Sequence, residues 1–336
     1  NFGAVDWKCS VWVNDILVGT HTGGYTPFSL NITAALKAKG DNTLTVRVID
    51  PTDSGTQPRG KQVNRPNGIW YTPVTGIWQT VWLEPVSKQH IANIKTTPDI
   101  DLGIITVEVD PACKAQPVRS EVKVLENGNV IASASSLGNQ PVEVAMPENF
   151  KLWTPDTPNI YDLEVVLYGP DGKQLDKVKS YTAMRKFSTA RDNKGIVRMQ
   201  LNNKDLFQFG PLDQGWWPDG LYTAPSYEAM IFDLEKTKEL GFNMIRKHVK
   251  VEPATWYTWC DKNGMIVWQD MPNGDKEPEW QTTQYFDGTE LHRTAASEAN
   301  YRQEWKDIMD ANYNYPSIGV WVPFNERWGQ FKTVEI

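Results

Sequence analysis

The sequence predicts a multidomain protein in which two antiparallel β-sandwiches precede half of an eightfold barrel of alternating strands and helices. Three observations carry this reading. Up to about residue 187, short period-two alternations are broken by Gly, Asn, Asp and Pro, as half-buried antiparallel strands require. Near Phe187 the rhythm changes to strand and helix in turn, the sign of a parallel sheet with crossover helices. Residues 317–324 are almost wholly apolar, as a strand covered on both faces must be, and the run ends abruptly on Asn325 and Glu326. With 336 residues the chain is long enough for two or three domains, each with its own core.

In chain order, residues 1–85 form the first domain. Residues 7–13 read as a strand closed by a turn at Asn14 and Asp15, so that 11–13 and 16–18 make a hairpin, and 43–49 alternates with period two. Residues 50–66 are a polar loop rich in Pro and Gly, followed by strands at 68–73 and 76–82. Pro85 marks a break. Residues 86–187 then give short strands at 91–94, 104–109, 121–125, 130–133, 142–144 and 161–168, with turns at Asn127-Gly128 and Asp171-Gly172. Their spacing predicts an immunoglobulin-like sandwich without a cluster of catalytic residue types.

Residues 188–336 form the third domain, with its first strand at 206–209. Ser226 opens a helix with Met230, Ile231 and Leu234 on one face, stopped by Gly241. The second strand spans 242–246. Pro253 begins a helix carrying Trp256, Trp259 and Cys260, which Asn263-Gly264 ends before a third strand at 265–268. Tyr301, Trp305, Ile308 and Met309 mark a further helix, and the fourth strand runs into Glu326. Four such units are half of an eightfold barrel, with open sheet edges, and Asn1 stands where an initiator Met is usual, so the chain reads as cut at both ends.

Composition narrows the function classes. Charged residues at 22% and hydrophobic ones at 40% are those of a globular protein. A net charge of −7 without a basic run argues against nucleic acid or an anionic membrane as partner, while homo-oligomerisation is left open. Cys9, Cys113 and Cys260 are odd in number and far apart, so they read as buried thiols, and neither a metal site nor a cofactor is expected. No apolar run of ~18 residues exists, and the start lacks a signal-like segment, so the chain reads as soluble, with periplasmic or secreted placement open. Fifteen Trp against 12 Tyr and 11 Phe fits ring-stacking platforms for sugars, beside structural roles.

Glu326, at the carboxyl end of a strand where barrel loops converge, is a candidate acid or base. Residues 240–246, 256–264 and 314–326 together resemble the two signature regions of glycoside hydrolase family 2, which contains β-galactosidases, β-glucuronidases and β-mannosidases. The resemblance implies a jelly-roll sugar-binding domain, an immunoglobulin-like sandwich and a (β/α)8 catalytic barrel. It makes Glu326 the general acid/base of a retaining exo-β-glycosidase acting on a carbohydrate, with the nucleophile beyond residue 336. β-Galactosidase is the first expectation, β-glucuronidase or β-mannosidase the alternative, and a non-catalytic carbohydrate-binding protein the competing class. Residues 1–336 alone are expected to be silent, because retention needs two carboxyls about 5–5.5 Å apart.

The same resemblance makes Asn325 the ligand of the sugar 2-hydroxyl and Arg246 the residue that orients the catalytic carboxylates, a structural ion pair being the alternative for Arg246. Asn14 resembles a sugar-reaching hairpin residue, although the turn itself favours Asn. The family's His falls three positions after its Arg, where this chain has Val249, so His248 enters the pocket only by displacement. Gln269 and Asp270 stand where many relatives carry two acidic residues. Asp213, Trp216, Trp217 and Asp219, after the first strand, suit sugar hydroxyls and a stacked ring, or else simply a folded loop. An acid near neutral pH needs an apolar wall, for which Phe324 and Trp328 are placed. Two loops are expected at the mouth: residues 50–66, a flexible frame presenting Gln57, Arg59, Lys61 and Gln62 that limits binding to chain ends, and residues 271–296, a lid with Trp280, Tyr285 and His292.

Overall fold

The computed structural model describes residues 1–112, 118–272, 274–276, 279–282 and 289–336. Cys113, Tyr285 and the side chain of Trp280 lie outside the described residues. The architecture is mostly β and falls into three packed parts.

In the first part Lys8–Val13 pairs antiparallel with Ile16–Thr22 on one side and Leu44–Ile49 on the other. Asn14 and Asp15 both take positive φ, 50° and 65°, the mirror-image turn that a two-residue hairpin needs. Alternation buries Cys9, Val11 and Val13, with Phe2 and Val5 packed beneath. The two strands expected between 68 and 82 reduce to Gly76–Ile77, paired with Val5–Asp6, and two isolated bridges. Trp78 explains why: its ring is buried and its indole N–H donates to the Gly24 carbonyl at 2.8 Å, so this stretch plugs a core and does not extend a sheet.

The second part is two facing antiparallel sheets. One orders Val142–Ala145, Ile104–Pro111 and Ile91–Asp99; the other orders Gln174–Thr182, Tyr161–Tyr168, Arg119–Glu126 and Asn129–Leu137. Period two sends Ile105, Val107, Val122, Val124, Leu163 and Val165 into one apolar core between them. An antiparallel ribbon follows that the sequence reading missed, Phe187–Arg191, Val197–Leu201 and Lys204–Asp205.

The third part is a parallel sheet ordered Leu212–Asp213, Met244–Lys247, Ile266–Asp270 and Ile318–Val322. Helices α1 (Tyr227–Glu239), α2 (Ala254–Asn263) and α3 (Ala295–Asn312) lie in its connections. The Ser226 and Thr294 hydroxyls accept from the backbone N–H groups three residues on, capping α1 and α3. Residues 206–209, expected as the first strand, lie outside any strand: Phe207 is 82% exposed, and at Gly210 the chain crosses so close to the Met244 carbonyl that a Cβ would sit 1.6 Å from its oxygen. Parallel pairing starts only after that crossing, at Leu212.

The first part docks on the third through α3 and the loop before α1. The Gly24 N–H donates to Glu304 Oε1 at 2.6 Å, and the Thr223 hydroxyl to the Trp78 carbonyl at 2.8 Å. Tyr25, Trp78 and Tyr222 interlock edge-on and tilted beneath these bonds. Among the described residues no helix is long and apolar enough to cross a membrane.

Candidate active site

Asp270, fully buried at the carboxyl end of the third parallel strand, is the hub of the site. Arg246, opposite Trp268 on the neighbouring strand and so on the same face two residues before Asp270, grips it with both prongs: Nε donates to Oδ1 and Nη2 to Oδ2, each at 2.8 Å. His248 Nδ1 lies 3.1 Å from Oδ2 on the other side. The free reach of Arg246 Nη2 extends to Asn325 Oδ1, also at 2.8 Å. With its oxygen so held, the Asn325 side-chain Nδ2 is left as a buried donor without a partner among the described residues. Glu326 follows, exposed, its Oε2 accepting from the Trp328 indole N–H at 2.7 Å. The structure thus brings Arg246, His248, Asn325 and Glu326 together around Asp270.

Asp213 belongs elsewhere. It pairs in register with Lys247, and alternation along the strands puts both on the sheet face opposite Arg246 and Asp270. There the buried Lys247 ammonium bonds Asp213 Oδ2 and Glu252 Oε1, each at 2.7 Å. Burial alone would lower the Lys247 pKa, but the two carboxylates outweigh it and raise it. Lys250 shares Glu252 at 3.0 Å and donates to the carbonyls of Gly215 and Tyr222; here burial wins and the pKa is lowered. Gly215, at φ +63°, closes over this cluster so tightly that a Cβ would meet Glu252 Oε1 at 2.3 Å. The Asp213 carboxylate accepts from Lys247 and from the Gly215 N–H, which fixes the loop after the first strand.

Residues 89–185 match the description "Glycosyl hydrolases family 2". Over 97% of this chain, a Formosa agariphila protein provisionally named as a beta-glucuronidase is 27% identical, and a Thermoanaerobacter pseudethanolicus "Beta-galactosidase" is 25% identical. The beta-glucuronidase of Bacteroides uniformis superposes over 98% of this chain with a TM-score of 0.77 at 22% identity, which shows a shared fold. The chain is similar over nearly its whole length to proteins named as beta-glucuronidases and beta-galactosidases, and its match to the family 2 description is confined to residues 89–185. It spans 37% and 42% of those two sequence relatives and 38% of that solved chain.

The remaining candidates are spread around the hub. Trp217 and Leu221 exchange backbone hydrogen bonds and close a tight turn that leaves Asp219 exposed at its tip. Trp216 stacks on Tyr71 of the first part at 4.6 Å, sealing the two parts together. Asn14 spends its amide on the 35–43 segment, donating to the Ala35 carbonyl and Asn42 Oδ1 and accepting from the Thr43 N–H, and none of these bonds joins it to the hub. Phe324 does not wall Glu326: it is buried between Tyr301 and Phe331, leaving Trp328 as the aromatic neighbour. In the expected lid, Glu279–Thr282 pairs with Thr289–His292, and His292 is exposed. Cys9 and Cys260 are buried free thiols, as expected of them.

The 50–66 loop is not a flexible frame. Gln57, Arg59, Lys61 and Gln62 are all buried. The Arg59 N–H bonds the Gly274 carbonyl, its Nε bonds that of Asp275 at 2.5 Å, and its guanidinium lies 4.8 Å from the Trp70 ring, which in turn meets Trp328 edge-on at 5.0 Å. Lys61 Nζ donates to Gln214 Oε1 at 3.2 Å. Asp270, Lys247, Lys250 and Glu252 escaped the sequence reading as site residues. The signal available was that Lys247, Lys250 and Asp270 sit within or beside apolar strand stretches, where a buried charge needs a partner.

Proposed function

We propose that this chain is part of a retaining exo-β-glycosidase. In this reading 1–85 is a jelly-roll, 86–187 an immunoglobulin-like sandwich and 188–336 the first half of a (β/α)8 barrel. Glu326 is the general acid/base, and the nucleophile lies outside residues 1–336. Terminal β-galactosides and β-glucuronides are the substrates, as the names of the relatives suggest. One observation carries the reading: Arg246 turns Asn325 so that a buried, unpartnered amide N–H is presented next to Glu326. A sugar 2-hydroxyl is the acceptor such a donor lacks, and that contact strengthens as the anomeric carbon gains oxocarbenium character. Glu326 then gives its proton to the departing oxygen and takes one from water in the second step.

The test is Glu326→Gln in the full-length protein. Turnover of unactivated disaccharides is expected to fall about 10²–10⁴-fold, as loss of a general acid does, while aryl glycosides with good leaving groups lose far less. Equal loss on both substrate types, or none on either, contradicts the assignment.

A further inference from the structure

The first part of the molecule delivers to the neighbourhood of Glu326 a cation that the fold does not use. Lys61 is only 7% exposed, yet its ammonium donates to a neutral amide, Gln214 Oε1, and no carboxylate lies within ion-pair distance among the described residues. Lysines elsewhere in this fold show the contrast. Lys247 and Lys250, deeper still, have carboxylates at 2.7–3.0 Å. An ammonium has three donors, and a desolvated one without a counter-charge is costly unless something supplies it.

Its surroundings indicate what that something meets. The Tyr71 N–H donates to the Lys61 carbonyl at 2.8 Å, and the Tyr71 ring, 5.9 Å from Nζ, is backed by Trp216. Next along the chain, Trp70 touches Trp328, the residue that holds Glu326. Burial lowers the Lys61 pKa and the Glu326 carboxylate pulls it back, so the two groups feel each other electrostatically.

We propose that Lys61 reads an anionic group on the leaving-group side of the scissile bond, so that preferred substrates carry a carboxylate or a sulfate on the residue being released. The inference rests on Glu326 as general acid: the oxygen it protonates belongs to the leaving group, so a cation on the Trp70–Trp328 side of Glu326 faces that group, with Tyr71 and Trp216 as the apolar surface under it. The first part thereby acts as a specificity element and not only as a cover.

Paired aryl β-glycosides of one sugar test it in the full-length protein: 4-carboxyphenyl against 4-carbamoylphenyl, and 4-sulfophenyl against 4-sulfamoylphenyl. Wild type is expected to cleave at least one anionic member about ten- to a hundredfold more efficiently, by kcat/KM, than its neutral isostere, the range of a charge-assisted hydrogen bond. Whichever pair shows the preference distinguishes a carboxylate from a sulfonate, the hydrolysis-resistant stand-in for a sulfate. Lys61→Gln should erase it while leaving the neutral substrates within about twofold, and Lys61→Arg should retain it. Equal kcat/KM within both wild-type pairs overturns the proposal without any variant, and so does a Lys61→Gln loss that is the same for charged and neutral members. If wild type cleaves none of the four, the glycosidase reading itself has failed; cleavage of the neutral members without charge preference sinks the Lys61 proposal alone.

Discussion

Asp270→Ala is expected to destabilise the protein by about 3 kcal/mol and, in the full-length glycosidase proposed above, to abolish turnover. Asp270 is fully buried and compensates a guanidinium, a histidine ring and the Val249 N–H at once. Breaking a buried pair by removing one partner costs about 3–5 kcal/mol, because the survivor is left uncompensated. The Arg246 side chain is 26% exposed, so water relieves part of that and the lower end applies. Loss of activity has a separate cause. With its carboxylate anchor gone, Arg246 no longer fixes Asn325 Oδ1, and the amide beside Glu326 is free to rotate. Asp270→Asn keeps the shape and separates the two effects: a smaller stability loss, since the amide oxygen still accepts, with activity still lost because the bidentate grip needs two acceptor oxygens. Urea unfolding together with steady-state turnover checks both. An alanine variant within 1 kcal/mol of wild type, or an asparagine variant with wild-type turnover, contradicts the hub role.

What the sequence disclosed follows the reach of its signals. The sandwich strands and the turn at Asn127-Gly128 were legible because period two and a positive-φ dipeptide are local properties, and the turn indeed takes φ of 51° and 79°. The pairing of Arg246 with Glu326 in one site was legible only through strand ends and family resemblance. Direction was not. Asp213 and Arg246 sit at neighbouring strand ends, but which face each side chain takes depends on register, and register is set by pairing partners far along the chain. The 50–66 loop misled for a related reason: Arg59 and Lys61 look solvated in sequence, and only the neighbouring part of the fold, through Gly274, Asp275 and Gln214, shows that they are buried. Phe207 misled in the opposite direction, an apolar residue in an apolar run that the crossing at Gly210 leaves in water.

Raising the pH from 5 to 9 is expected to lower the thermal stability of the protein through two carboxyls at the contact between its first and third parts. Burial pushes the Asp6 carboxyl up to about 8, helped by Asp50 and opposed by the Gln62 amide, which donates to it at 3.0 Å. Glu304, on α3, is likewise pushed up to about 8, first by burial and then by Asp6 and Asp307, against the backbone N–H groups of Gly24 and Tyr25. Tyr25 and Tyr222 beside them are themselves held neutral by burial, and burial likewise lowers the pKa of His21, which lies near Glu304 at Gly23. Both carboxyls are protonated in the fold at pH values where an unfolded chain, with ordinary values near about 4, has lost those protons. The stabilisation is therefore fully present below about pH 4, declines as the pH rises, and is gone once it passes the folded value of about 8. Differential scanning fluorimetry from pH 5 to 9 should show the midpoint falling. Glu304→Gln, which still accepts from Gly24 but cannot ionise, should flatten the slope, and Asp6→Asn should do the same. A flat wild-type profile, or a slope that survives both substitutions, would place the pH sensitivity outside this contact. Because Gln62 bonds Asp6 and Lys61 precedes it in the chain, loosening the contact also withdraws the cation assigned to the leaving group, so selectivity between charged and neutral aglycones should fade over the same pH range.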